Sequence, residues 1–100
     1  VNPYGRATQG FYTWDIVKGS KVIVTNVSLK KGQTLSMGVS ITSESGPVDA
    51  GLVLDTTKRY VTFNSSGVHN FEIKEDGKYK LFVENKSGAK ITVDFNYFTV

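Results

Sequence analysis

The sequence predicts an all-β protein: a single-domain antiparallel β-sandwich of about eight strands with jelly-roll or Greek-key connections. Three observations predict it. Val, Ile, Thr, Phe, Tyr and Trp total 40 of the 100 residues, whereas Ala, Leu and Met together total nine. β-Branched and aromatic side chains suit a pleated, half-buried surface, and the good helix formers are the scarce ones. Apolar residues recur with period two, and no window shows the 3.6-residue period of a helix. Polar clusters containing glycine interrupt these runs at about 8–12 residues, the spacing of a sandwich or barrel.

Residues 1–10, with Gly5 and Gly10, read as a flexible or extended arm. A first strand over 11–17 sets Tyr12, Trp14 and Ile16 on one face and Phe11, Thr13, Asp15 and Val17 on the other. Trp14 is the expected core anchor of that strand. After Lys18-Gly19-Ser20 comes a strand over 21–29, and after Lys30-Lys31-Gly32-Gln33 one over 34–42. In the latter, Leu35, Met37, Val39 and Ile41 alternate with Thr34, Ser36, Gly38, Ser40 and Thr42. Ser43 to Ala50 is the one long irregular connection, broken by Gly46-Pro47 and expected to cross between sheets. Strands follow over 51–55, 59–63 and 68–74, with Asn64 to Gly67 as a turn. Glu75-Asp76-Gly77 turns the chain into 78–85, where Tyr79, Leu81 and Val83 face inward. Lys86-Ser87-Gly88 leads to the last strand, 89–99, with Ile91, Val93, Phe95 and Tyr97 inward. A one-residue slip would expose a whole apolar set, so register is strongly specified. The turn glycines can supply positive φ at little steric cost.

One hundred residues hold one domain, 1–100, since a second core has no room. The absence of cysteine excludes a disulfide scaffold, a thiolate zinc site, an iron–sulfur centre and a cysteine nucleophile. The net charge is +3, but the lysines are spread along the chain. Two arginines leave few bidentate contacts to phosphate or guanine, so nucleic acid is not an expected partner. No stretch approaches the roughly 20 apolar residues of a membrane helix. Val1 opens the chain without an initiator Met, as a processed or trimmed chain would.

Catalytic chemistry is poorly represented. His69, the single histidine, shares the parity of Phe71 and Ile73 and is expected to point to the core side near a strand end. A histidine base needs a nucleophile and an orienting acid, and no Gly-x-Ser-x-Gly elbow is present. Glu44, Asp49 and Asp55 are weak candidates for a calcium site, because their spacing lacks the Asp-x-Asp-x-Asp loop pattern. Solvated loop acids are the expectation for all three, with no cofactor. Whether Asp15, Glu72 or Glu84 face another carboxylate, as glycosidase chemistry requires, is not readable from sequence. The chain is therefore expected not to be an enzyme. The aromatics are richer: Tyr4, Phe11, Tyr12 and Trp14 crowd the N-terminal fourteen residues, and Tyr4, Tyr12 and Trp14 form the candidate ligand-binding platform. Phe82 and Phe98 fall on the polar parity of their strands, where exposure would mark a contact surface.

Two segments carry a family resemblance. Gly46-Pro47-Val48-Asp49-Ala50-Gly51-Leu52-Val53-Leu54-Asp55 resembles the small-Asp-small-Leu-x-Leu segment of bacterial pre-peptidase C-terminal domains. Phe71 to Asn85, an apolar strand, a Gly77-x-Tyr79 turn and an alternating strand, resembles the same domains. It is similar also to GOLD domains, whose last strands read like Val83 to Tyr97. The resemblance implies a small β-sandwich with an accessory role in adhesion, in ligand or cargo binding, or in support of a neighbouring domain. Gly51 stands where a second acidic residue often follows the first, against an inherited calcium site. Gly77 is the turn residue, and Tyr79 is expected to bury its ring while its hydroxyl bonds backbone, as in a tyrosine corner.

These readings converge on a non-enzymatic β-sandwich module, secreted or at the cell surface, binding a polysaccharide or protein there. A small secreted basic toxin or antimicrobial protein, and a self-assembling surface subunit, are the alternatives.

Overall fold

In the computed structural model, residues 9–41 and 47–99 are described. They form β1 (Gln9–Ile16), β2 (Lys21–Leu29), β3 (Thr34–Ile41), β4 (Val48–Leu54), β5 (Thr57–Phe63), β6 (Gly67–Glu72), β7 (Gly77–Asn85) and β8 (Ile91–Thr99). Two four-stranded antiparallel sheets, ordered β1-β8-β3-β6 and β2-β7-β4-β5, pack face to face. Each connection crosses between sheets except the β4–β5 hairpin, which gives the strand order of a jelly roll.

Register turns the period-two patterns into one core. In the first sheet Ile16 lies opposite Ile91, Trp14 opposite Val93 and Tyr12 opposite Phe95. Met37 and Val39 continue the same rows from β8 into β3. In the second, Ala50 faces Val83 and Leu52 faces Leu81. The inward members on the central strands are buried and those on the edge strands only partly so; each fully buried Val, Leu, Ile, Phe or Met contributes about 1.5–3 kcal/mol of transfer free energy.

Three expectations are corrected. β4 begins at Val48, not at 51, because Val48, Ala50 and Leu52 alternate inward and all three are buried. Asp49 is therefore a buried strand residue and not a loop acid; its carboxylate accepts a 2.6 Å hydrogen bond from Thr62 Oγ1. Glu44, near the start of the expected crossover, lies outside the described residues. β1 begins at Gln9, so residues 9 and 10 of the expected arm are strand, and Tyr4 lies outside the described residues.

The turns are also not uniformly glycine-driven. Gly19 and Gly32 adopt positive φ (79° and 97°), but Asp55 makes the β4–β5 turn at φ 55°, a conformation Asp tolerates better than most residues. Gly77 does not take positive φ; it is small because a Cβ there would lie 2.5 Å from Leu54 Cδ1. At the other end of β7, buried Asn85 ties three segments together. Its Nδ2 donates to the Ile16 and Ala89 carbonyls at 2.9 and 2.8 Å, and its Oδ1 accepts from Ser87 N and Oγ at 2.8 and 2.6 Å.

Candidate functional site

A sandwich has two open sides, and here they are finished differently. On one side the edge strands are β5 and β6. Arg59 seals it: the guanidinium stands 5.6 Å from the Phe71 ring, and Nη1 donates to the Glu72 carbonyl at 2.7 Å. His69 adds its ring edge-on to Phe71 at 4.7 Å. The parity expected for His69 is right, but the residue is exposed, because its neighbour on the edge is solvent and not another strand. It packs on an aromatic ring, with no serine and carboxylate relay among the described contacts.

On the other side the edges are β1 and β2, and apolar groups finish it. Tyr12, Trp14, Val22 and Val24 are half-buried against the core. The Tyr12 and Trp14 rings lie 5.2 Å apart, and Tyr12 is 6.4 Å from Tyr97. Burial, and then the neighbouring Tyr12, push the Tyr97 phenol above its ordinary range. On the outer face of the first sheet Phe11 is 81% exposed, with Phe98 exposed on the neighbouring strand; Val17, just past β1, and Ile23, on the outer face of the second sheet, are exposed elsewhere. An exposed ring such as Phe11 on the rigid edge of a sheet has the usual character of a contact residue.

Beside Phe11 the outer face of the sheet holds a shallow depression of about 470 Å³ lined by Thr13, Ser40, Asp94 and Asn96. Thr13 Oγ1 donates to Asp94 Oδ1 at 2.7 Å. Gly38 lets the Asn96 amide lie against β3, since a Cβ there would meet its Oδ1 at 2.9 Å. The arrangement offers an aromatic ring beside hydroxyl, amide and carboxylate groups.

The candidates from sequence are thus distributed over the molecule. Tyr12 and Trp14 come together, on the inward parity of β1, half-buried. Phe11, with the opposite parity and the greatest exposure, is the residue sequence reasoning passed over; its signal was a shared face with Thr13 and Asp15. Of the two aromatics on polar parity, Phe98 is exposed and Phe82 is buried. Lys21 and Lys58 lie over the Phe82 ring at 5.8 and 5.0 Å. Asp49 and Asp55 are separated by six residues of β4 and its turn, roughly 20 Å at strand rise, and do not converge. Among the described residues no three His, Asp or Glu side chains gather as a metal site would require. Asp15 accepts from Thr92 and Glu72 from Lys74, on one outer face; Glu84 pairs with Lys58 and Lys86 on the other. Tyr79 is buried and donates to the Glu75 carbonyl at 2.6 Å, above the turn that Gly77 ends.

No family model matches the chain, and no curated protein is similar to it. Solved structures are similar in fold. One is PliG of Aeromonas hydrophila, a periplasmic lysozyme inhibitor of g-type lysozyme, with TM-score 0.68 and 10% identity over 94% of this chain and 88% of that one. Another is a de novo designed double-stranded β-helix, with TM-score 0.53 and 14% identity over 93% of this chain and 99% of that one. At these identities the likeness is one of architecture: the chain is a β-sandwich of eight antiparallel strands.

Proposed function

We propose that this protein is a non-enzymatic, exported binding module whose partner is a protein, gripped through the aromatic surface of β1. One observation carries the reading. A regular, eight-residue edge strand presents Phe11 almost fully exposed beside a half-buried Tyr12–Trp14 pair. Rigid aromatics at a rim of this type dominate the energy of protein interfaces, because they bury much area at little entropic cost. The architectural likeness to a periplasmic lysozyme inhibitor supports both export and a protein partner. It makes an extracellular hydrolase of the lysozyme class the first partner to try. The accessory role implied by the pre-peptidase-like segments points the same way.

The test is a peptidoglycan turbidity assay with lysozymes of several types, g-type included. Inhibition near stoichiometric protein, relieved by Phe11→Ser, supports the reading. A panel showing neither inhibition nor complex formation by calorimetry removes lysozymes as the partner class.

The depression beside Phe11 favours a second reading, a glycan ligand, because it sets a ring next to hydroxyl, amide and carboxylate groups. Retention on an insoluble glycan that falls with Phe11→Ser, Tyr12→Ala, Trp14→Ala or Tyr4→Ala supports it. Unchanged retention across those variants discards it.

A further inference from the structure

The two outer faces of the sandwich carry opposite charge. On the face of β1-β8-β3-β6 the register places Asp15, Asp94 and Glu72 outward, with Lys74 at the end beside Glu72. On the face of β2-β7-β4-β5 it places Lys21, Lys58, Lys78 and Lys80 outward, against Asp49 and Glu84. The acids of this second face sit together at one end: Asp49, buried and bonded to Thr62 Oγ1, is opposite Glu84, which has Lys21 on its other side. Lys78 and Lys80 have no ion-pair partner among the described residues. They are two positions apart on one strand, roughly 7 Å at strand rise. The molecule is 17 Å thick in its thinnest direction, about two Debye lengths at physiological ionic strength. A charged surface meeting the lysine face therefore lies closer to the lysines than to the acids behind them and feels the lysines more strongly.

From this segregation we infer that the β2-β7-β4-β5 face docks on an anionic lipid bilayer. The chemistry distinguishes that occupant from a nucleic acid or a polysaccharide chain. Base and sugar recognition use a broad free aromatic platform, whereas this face carries one exposed ring, Tyr60, with Lys58 Nζ 5.1 Å over it, and Phe82 is buried beneath the same ammonium at 5.0 Å. Among the described residues the bidentate phosphate fork is also missing from this face, because Arg59 is turned inward onto Phe71 and the Glu72 carbonyl. What remains is lysine point charges around half-exposed Ile23 and Tyr60, which suits a diffuse surface potential and a headgroup layer. Docked in this way, the protein would turn the opposite sheet, with Phe11, outward.

The test is co-sedimentation with vesicles of phosphatidylcholine alone or with 30% phosphatidylglycerol. The triple variant Lys21→Gln/Lys78→Gln/Lys80→Gln is compared with Lys18→Gln/Lys30→Gln/Lys90→Gln, which removes the same charge from turns and a strand flank. All six side chains are exposed, and far-UV circular dichroism confirms that both variants fold. Binding is expected only with phosphatidylglycerol, and to vanish in 1 M salt, where the Debye length falls to about 3 Å. The face variant should lose on the order of 100-fold in partitioning, and the turn variant several-fold at most. Equal losses in the two variants overturn the inference, as does binding indifferent to phosphatidylglycerol. Face-dependent binding to soluble heparin or DNA without vesicle binding reassigns the surface to a polyanionic chain. None of these outcomes depends on the partner held by β1.

Discussion

The Tyr79 hydroxyl donates a 2.6 Å hydrogen bond to the carbonyl of Glu75, four residues upstream. The bond closes the Glu75-Asp76-Gly77 turn over a buried ring, and so fixes how β6 hands the chain to β7. Tyr79→Phe keeps the ring and removes the bond, leaving the Glu75 carbonyl to water. The expected loss is about 1 kcal/mol, read as a lower urea midpoint with unchanged slope.

The same residue gives a pH dependence. Burial, and then the Glu75 charge, raise the Tyr79 phenol above its ordinary value of 10.0; Tyr97 is raised in the same direction. The folded state therefore holds these protons more tightly than the unfolded chain. Their contribution is complete below the unfolded value near 10 and is lost as pH rises through the folded values. Thermal midpoints should fall steeply above pH 10, and less steeply in Tyr79→Phe. An equal slope in both proteins would show that Tyr79 does not contribute.

Gly51 and Gly77 separate two kinds of close approach. A Cβ on Gly51 would collide with the Arg59 carbonyl and lie 2.6 Å from Tyr60 Cα, both backbone of the neighbouring strand. A Cβ on Gly77 meets only the Leu54 side chain, which can change rotamer. Gly51→Ala should cost about 3 kcal/mol or more and Gly77→Ala about 1 kcal/mol. Chemical denaturation of the two variants gives the order directly.

Asn85 satisfies four groups at the end of the sandwich with one buried amide. Asn85→Ala removes the amide donor from the buried Ile16 carbonyl, leaves the Ala89 carbonyl only its bond from Ser87 Oγ, and should destabilise by about 2 kcal/mol. Asn85→Asp should be comparably damaging, because a carboxylate cannot donate to those carbonyls. Hydrogen exchange should show the loss first at the β7–β8 turn.

Phe11 and Trp14 are three residues apart with opposite parities, and they should respond oppositely. Phe11→Ser removes an exposed ring and should change stability by no more than about 0.5 kcal/mol, while weakening binding to whatever partner β1 holds. Trp14→Ala opens the half-buried wall next to Tyr12 and should cost about 2 kcal/mol. A stability loss at Phe11 as large as that at Trp14 would place the ring in the fold and not in the contact surface.

Strand existence and facing were legible because both are local. Leu35, Met37, Val39 and Ile41, or Ile91 through Tyr97, declare their inward side by alternation alone. β4 was read three residues short because Pro47 hides the start of an alternation that begins at Val48. Its acid, Asp49, was consequently read as a loop residue. The turn at Asp55 was missed as a left-handed position because the glycine signal is absent there.

Exposure is a different kind of property. Phe11, Phe82 and Phe98 all lie on the outward parity of their strands, yet Phe82 is 1% exposed and Phe11 81%. Nothing within a few residues of either ring distinguishes them. Phe82 sits on a central strand, where Lys21 from β2 and Lys58 from β5 reach over it and Gly51 lets Tyr60 close in. Phe11 sits on an edge strand, with a neighbour on one side only. His69 is exposed on inward parity for the same reason. The sequence by itself determined a cysteine-free sandwich of about eight strands and, where alternation is clean, as in 34–42, 78–85 and 89–99, the side of the strand that faces the core. Only the tertiary structure decided which strands became edges, which side was sealed by Arg59 and left open at β1, and how charge divided between the faces. Those depend on neighbours brought together from distant parts of the chain.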